Sequence, residues 1–451
     1  MQRRNFLKCL SGGGLGLAGL AMAGRLQTKT PPASRKNTVT PRGSAENLIM
    51  VFLQGGPSHV DTFDLKTGSW TPSDFGAGTF GNLFLPAGLF PNLSQQTDKF
   101  SLLRCLSHNE AVHARASYLT ETAHTFNPVF SKEQPHIGSL IGYELAGSRR
   151  ESDILPPFVA VNSLVQGPGM LPSTYAAFGY SAEIGVPGLE HPDGEALFRQ
   201  RYESLMRTDG ANRTAAASGH AINDYHNFYQ LGEGMMYQAD VEDAFTMSEA
   251  ELARYGENNL GIGCGVAVKL LAKDRGTRVV NITSNGWDSH YDIYTGGQGQ
   301  ASIYDLCNPL DQALAAMFED LAATPGKRGG SLLDETMVVV TGEFGRTPGA
   351  LTRNAGRDHY PYAYAALVAG GGIVPNQAFG ATDSEGWYVT DRFWSQNRDI
   401  SIHDLIATIY SSMGIDWTKE ITDTPSGRAF EYLPKVDGDA AYYKDIVEMF
   451  G

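Results

Sequence analysis

The chain has 451 residues, 42% of them hydrophobic and 10% aromatic, which excludes a disordered polymer and allows one large domain with a sizeable core. Its formal net charge is −14, and phosphate contacts need a basic face, so no nucleic-acid partner is expected. Cys9, Cys105, Cys264 and Cys307 stand in no CxxC or zinc-finger spacing. Cys9 falls in the N-terminal leader, and the other three read as buried small apolar side chains, with one disulfide and a free thiol as the alternative.

The chain opens Gln2-Arg3-Arg4-Asn5-Phe6-Leu7-Lys8, which matches the twin-arginine export consensus with Gln2 where Ser or Thr is usual. The uncharged stretch from Leu10 to Ala23 is shorter and less apolar than a membrane span, and Ala21-Met22-Ala23 supplies a small–x–small cleavage pattern. Residues 1–23 therefore read as a signal peptide for the twin-arginine translocase, with a periplasmic or cell-surface destination. Residues 24–45 are basic, rich in Pro, Ser and Thr, and non-periodic, as a flexible tether is. The folded domain is expected over residues 46–451.

Short apolar runs follow that read as buried parallel strands: Leu48–Leu53, Phe158–Val161, Val279–Ile282, Met337–Val340 and Ala365–Ala369. Apolar residues at three- and four-residue steps predict helices over 304–322 and 401–413, the second ending before Gly414. Residues 166–260 are less regular and read as an excursion or cap. Strands alternating with helices predict an α/β fold, a largely parallel central sheet with helices on both faces.

In such sheets ligands bind beyond the carboxyl ends of the strands. After the first strand comes Gln54-Gly55-Gly56-Pro57-Ser58-His59-Val60-Asp61, after the third Asn285-Gly286-Trp287-Asp288-Ser289-His290, and after the fourth Thr341-Gly342-Glu343-Phe344-Gly345-Arg346. Gly356-Arg357-Asp358-His359 precedes the last. Asp288 and His290 lie two apart in an extended segment, so their side chains point the same way. A carboxylate and an imidazole converging on one point is first-row metal chemistry, with a loop-fixing Asp–His hydrogen bond as the alternative. Glu343, at the end of a buried strand, needs a cation or several donors. Arg346 either pairs with it or grips the oxygens of a phosphate or sulfate. Asp358 with His359, and His59 with Asp61, are further candidate pairs. For a nucleophile, the segment from His108 to Thr120 resembles a helix start and offers His113, Ser117 and Thr120; Ser58 sits in a glycine-bounded loop.

Taken together, GGPSHVDTFD (55–64), GSLIGYELAG (138–147), LPPFVAV (155–161), GWDSH (286–290), LLDETMVVVTGEFGRTP (332–348), GRDHYPYAYAALVAGGGI (356–373) and DLIATIYSSMGID (404–416) resemble the bacterial domain of unknown function 1501. That family is similar to sulfatases and grouped with the alkaline-phosphatase superfamily. The resemblance implies a site of one or two divalent ions, zinc, calcium or manganese, around a phosphoryl or sulfuryl centre. By position, Asp288, His290, Glu343 and His359 look like ligands, with Asp358, His59, Asp61 and His113 as further ligands or proton-transfer groups. Arg346 would stabilise developing charge. The chain departs from the superfamily pattern at Phe344, where a His is usual, at Gln54, where an Asp is usual, and in lacking a Cys-x-Pro-Ser-Arg nucleophile. The resemblance implies an exported hydrolase of phosphate or sulfate esters acting on an anionic ester, such as a sulfated or phosphorylated glycan. The departures favour the alternative, a catalytically degraded scaffold that binds a partner protein or an anionic glycan.

Overall fold

A computed structural model describes residues 39–214, 221–424 and 426–451. The expected signal peptide and residues 24–38 of the expected tether lie outside the described residues. Residues 43–45 are tied to the domain: Gly43 and Ala45 donate their N–H groups to Ser411 and Ser412 carbonyls, each at 2.8 Å, and Ala45 is buried.

Eight strands form one sheet: β1 (Asn47–Leu53), β2 (Phe100–Leu106), β3 (Phe158–Val161), β4 (Phe178–Tyr180), β5 (Val279–Ser284), β6 (Thr336–Thr341), β7 (Tyr364–Ala369) and β8 (Ala378–Phe379), in the spatial order β8-β2-β7-β6-β1-β5-β3-β4. Val51 lies opposite both Ile282 and Val340 in parallel register, so the strands ending near Leu53, Ile282 and Val340 finish on one edge, as expected. The run 365–369 departs from expectation. β7 is antiparallel to both β6 and β2. A buried apolar run carries no direction. Here the chain between β6 and β7 forms no crossover helix, so β7 starts from the edge where β6 ended and must run back.

Helices cover both faces. On one face Ile49, Val51, Leu53, Val338 and Val340 pack with α7 (Asn259–Ala272) and α8 (Ile303–Ala323). On the other, Leu48, Met50, Met337 and Val339 pack with α1 (His113–Thr122), α2 (Ile137–Glu144) and α9 (Ile402–Ser412). Successive side chains of a strand point to opposite faces, so each central strand feeds both cores and reads as unbroken apolar sequence. α8 starts where Ser302 and Asp305 form a reciprocal capping box. α9 ends with Gly414 at φ 75° and the Ile415 N–H bonded back to the Tyr410 carbonyl at 2.8 Å.

The segment 166–260 supplies edge strand β4 and four helices, α3 (Glu195–Thr214), α4 (Ala221–Met235), α5 (Ala239–Ala244) and α6 (Glu249–Tyr255). Val241, Phe245 and Tyr255 bury themselves in the first of the two cores. Cys105, Cys264 and Cys307 are free and buried. No helix among the described residues is long and apolar enough to cross a membrane.

Candidate metal centre

The loops after β1, β5 and β6 meet at the carboxyl edge of the sheet. Their contact requires glycine. A Cβ on Gly55, where φ is 117°, would lie 2.4 Å from the Asp288 nitrogen, and one on Gly356 would lie 2.1 Å from the His290 carbonyl carbon. Backbone therefore packs on backbone, and segments distant in sequence place their side chains in one space.

Four groups converge there: His113, Asp288, His290 and His359, whose donor atoms all lie within 4.8 Å of one another. Asp288 Oδ1 stands 2.9 Å from His290 Nε2, 3.2 Å from His113 Nε2 and 3.4 Å from His359 Nε2. His290 Nε2 and His359 Nε2 are 3.0 Å apart. Asp288 and His290 do point the same way, but not because the segment is extended: the Ser289 and His290 N–H groups bond back to the Trp287 and Asp288 carbonyls at 3.0 and 3.1 Å, so tight turns set the direction.

Each imidazole is anchored through its other nitrogen. His113 Nδ1 donates to Glu343 Oε1 at 2.7 Å, His290 Nδ1 to Asp358 Oδ1 at 2.9 Å, and His359 Nδ1 to the Ala111 carbonyl at 2.8 Å. Carboxylates and carbonyls only accept, so these bonds place the ring proton on Nδ1 and leave the Nε2 lone pair facing inward. His113 Nε2 is buried without a hydrogen-bond partner. Three inward lone pairs beside one carboxylate oxygen repel one another unless a proton or a cation lies between them; Arg346 meets part of this demand, with one terminal nitrogen 2.5 Å from Asp288 Oδ1 and the other 3.4 Å from His290 Nε2. Donor atoms of one four-coordinate ion bound at about 2.0–2.2 Å lie roughly 3–3.5 Å apart, so the donor set fits a divalent ion.

Glu343 and Asp358, expected as ligands, stand behind the histidines. Glu343 is fully buried, and beyond His113 its oxygens accept the Gly55 N–H at 3.0 and 3.1 Å. That backbone donor and His113 answer the cost of burying it. Arg346 does not serve as its cation. The guanidinium is fully buried, with Nε donating to the Gly56 carbonyl at 2.9 Å, one terminal nitrogen to the Arg357 carbonyl at 3.2 Å, and the other to the Gly55 carbonyl and to Asp288 Oδ1, the latter at 2.5 Å. All three nitrogens are engaged by the protein, and in this arrangement Arg346 positions Asp288 and the 55–56 loop. Burial opposes ionisation of Asp288, but the bond to Arg346, its charge, and then His113 and His290 outweigh it and hold the carboxyl at about 2. The hydrogen bond to Glu343 raises the pKa of His113 despite burial, whereas burial lowers that of His359.

His59, Asp61 and Ser58 belong elsewhere. Asp61 is fully buried and holds the equally buried Arg357, with Nε donating to Oδ2 at 2.6 Å, while Tyr294 donates to Oδ1 at 2.8 Å and the Ser58 hydroxyl to Oδ2 at 2.5 Å. A carboxylate so satisfied has no lone pair aimed at the centre. His59 Nε2 donates to the Gly386 carbonyl at 3.0 Å, and burial lowers its pKa. Among the other hydroxyls, Thr120 is buried and bonded to the Ala116 carbonyl, and Ser117 is half-buried one helical turn beyond His113. Phe344, which stands where the superfamily pattern has a His, lays its ring against His113 and His359, with centroids 4.9 and 4.8 Å away, and walls that side of the centre.

Two positioning residues escaped the sequence reading. His108 Nε2 donates to the Glu343 carbonyl at 2.6 Å. Arg357 ties the segment bearing Asp358 and His359 to Asp61 and to the Thr347 and Gly349 carbonyls at 2.7 and 2.9 Å.

A search of curated proteins returned no match. Among solved structures the chain is similar to the PsFucS1 sulfatase from Pseudoalteromonas sp. (14% identity, TM-score 0.37, covering 91% of this chain and 73% of that one). It is also similar to a protein in the alkaline phosphatase superfamily from Vibrio parahaemolyticus (12%, TM-score 0.36, 92% and 76%). A third is the C-terminal periplasmic domain of EcEptC from Escherichia coli in complex with Zn (11%, TM-score 0.36, 90% and 97%). The model of the family described as "Protein of unknown function (DUF1501)" matches residues 45–437, nearly the whole described domain, and the chain belongs to that family.

Proposed function

We propose that the chain is an exported, metal-dependent hydrolase of phosphate or sulfate esters. One observation carries the reading: three imidazoles, each anchored through Nδ1, turn Nε2 toward a single Asp288 oxygen. His113, Asp288, His290 and His359 would hold the ion. A set of three nitrogens and one oxygen favours zinc over calcium, which takes oxygen ligands. The ion would supply a Lewis acid for a phosphoryl or sulfuryl oxygen and lower the pKa of attacking water.

The chain's own residues do the rest. Arg346 keeps Asp288 ionised and oriented. Glu343, Asp358 and the Ala111 carbonyl keep the ring protons away from the centre. Phe344 excludes water from one wall. Ser58 and Thr120 are buried away from the four converging groups, and the reading takes water as the attacking group.

A second reading, a binding scaffold without turnover, draws support from Arg346, whose nitrogens are all engaged by the protein. Metal analysis of the exported protein, followed by phosphate and sulfate release from a panel of alkyl and sugar esters, separates the two. Turnover abolished by a chelator supports the hydrolase. Bound metal without turnover supports the scaffold, and absence of metal removes the hydrolase reading.

A further inference from the structure

The turn that carries Asp288 and His290 is held by a residue outside the donor set. Gln300 is half-buried, its Nε2 donates to the Asp288 carbonyl at 2.7 Å, and its Oε1 accepts the Tyr291 N–H at 2.8 Å. A carbonyl accepts and a backbone N–H donates, so these partners fix which way round the carboxamide sits. Asp288 and Tyr291 are residues i and i+3 of one turn, and their carbonyl and N–H are the pair that closes an ordinary β-turn by direct contact. Here the Gln300 carboxamide stands between them. It holds the turn open, with His290 inside the span that it bridges.

Gln300 is itself fixed on both sides. Gly297 and Gln300 exchange two backbone hydrogen bonds, at 3.1 and 2.9 Å, across Gln298 at φ 50° and Gly299 at φ 81°. Two left-handed residues between a doubly bonded pair make a tight hairpin turn. A Cβ on Gly297 would lie 2.6 Å from Asp292 Oδ2, so this hairpin packs against the segment that follows His290. Shortly after Gln300, the Ser302 capping box starts α8. The contacts of Gly55 and Gly356 with the ligand turn are steric and limit only approach. Gln300 adds directional bonds, anchored in a hairpin and the start of a helix.

We infer that Gln300 is a positioning residue of the metal centre, an inference that rests on the reading of His113, Asp288, His290 and His359 as ligands of one ion. Through the Asp288 carbonyl and the Tyr291 N–H it sets the 2.9 Å spacing of Asp288 Oδ1 and His290 Nε2. Without the carboxamide the turn is free to close on itself, and both ligand side chains turn with their backbone. Groups that hold ligands in place govern affinity although they never touch the ion.

The test uses the full chain with cobalt(II) as the probe ion, whose visible absorption reports the number and geometry of its ligands. Wild type is compared with Gln300→Ala, with Gln300→Glu, and with Gln298→Ala, an exposed position in the same hairpin. Gln300→Glu keeps an acceptor for the Tyr291 N–H and loses the donor to the Asp288 carbonyl. Competition with a chromophoric chelator should show cobalt affinity about tenfold lower in both Gln300 variants, with an altered visible spectrum, and unchanged in Gln298→Ala. Melting temperatures measured in excess chelator report the metal-free fold. A Gln300→Ala variant that melts lower there but binds cobalt with wild-type affinity and spectrum overturns the inference, because its role is then structural alone. Should Gln300→Ala fail to fold, Gln300→Glu decides: wild-type affinity and spectrum in that variant overturn the inference equally. An equal loss in Gln298→Ala assigns the effect to the hairpin and removes it from the carboxamide. A wild type that binds no cobalt removes the metal centre itself, a result distinct from one in which wild type and variants bind alike.

Discussion

His113 and Glu343 are joined by a 2.7 Å Nδ1–Oε1 hydrogen bond across 230 residues of chain, and this contact couples the first turn of α1 to the end of β6. It makes Glu343 an orienting group. Glu343→Ala should reduce metal affinity by about 10–100-fold, the usual effect of losing a carboxylate behind a histidine ligand. It also leaves the buried Gly55 N–H unpaired, at about 1–3 kcal/mol. Glu343→Gln keeps an acceptor for both partners and should fall between wild type and alanine. Competition with a chromophoric chelator reads the affinities; wild-type affinity in Glu343→Ala would show that His113 is oriented without it.

Asp61 should behave differently from any ligand. Removing it leaves Arg357 buried and unpaired, so Asp61→Ala should cost about 3–5 kcal/mol in a denaturant titration. The drop in melting temperature caused by a chelator should remain as large as in the wild type. A chelator effect that vanishes in Asp61→Ala would return Asp61 to the metal shell.

The two networks differ in how far they could be read from sequence. Asp288 and His290 stood out because they follow the end of an unbroken apolar strand, whereas the tight turns that give them a common direction have no local signature. The ends of β1, β5 and β6 were legible because unbroken apolar runs mark buried strands. Arg357 and Asp61 lie 296 residues apart, and no local pattern says that one will satisfy the other. His59 and Asp61 sat in a post-strand loop beside glycines, the same context as Asp288 and His290, and only the folded chain separates a buried anchor from a ligand. β2 passed unnoticed because Arg104 interrupts its apolar run, yet that side chain is half-buried and donates to the Gly380 carbonyl at 2.7 Å.

Glu121, on α1, tests the electrostatics away from the ligands. Burial raises its carboxyl to about 7, although the Gln166 N–H at 2.9 Å favours the charged form. A folded-state pKa raised above the unfolded value means stability that is full below about pH 4.5 and lost as pH rises through about 7. Glu121→Gln keeps the acceptor and removes the charge. It should match wild type in melting temperature near pH 5 and exceed it near pH 8. Equal melting temperatures at both pH values would contradict the assignment.

The proposed export would rest on the paired guanidinium groups of Arg3 and Arg4. Replacing both with Lys keeps the charge and loses the planar fork, so the precursor should remain in the cytoplasm. Undiminished export of the Lys–Lys variant would remove the twin-arginine route from the account.

The convergence of His113, Asp288, His290 and His359 on one ion is the central claim, and metal content together with melting temperature tests it most directly. Wild type and His290→Ala are each measured with and without chelator. Wild type should carry about one divalent ion per chain and lose stability on chelation, because an ion bound only to the folded state stabilises it. His290→Ala should carry less metal and melt at nearly the same temperature with and without chelator. A wild type that co-purifies with no metal and is indifferent to the chelator would contradict the metal centre, and with it the hydrolase.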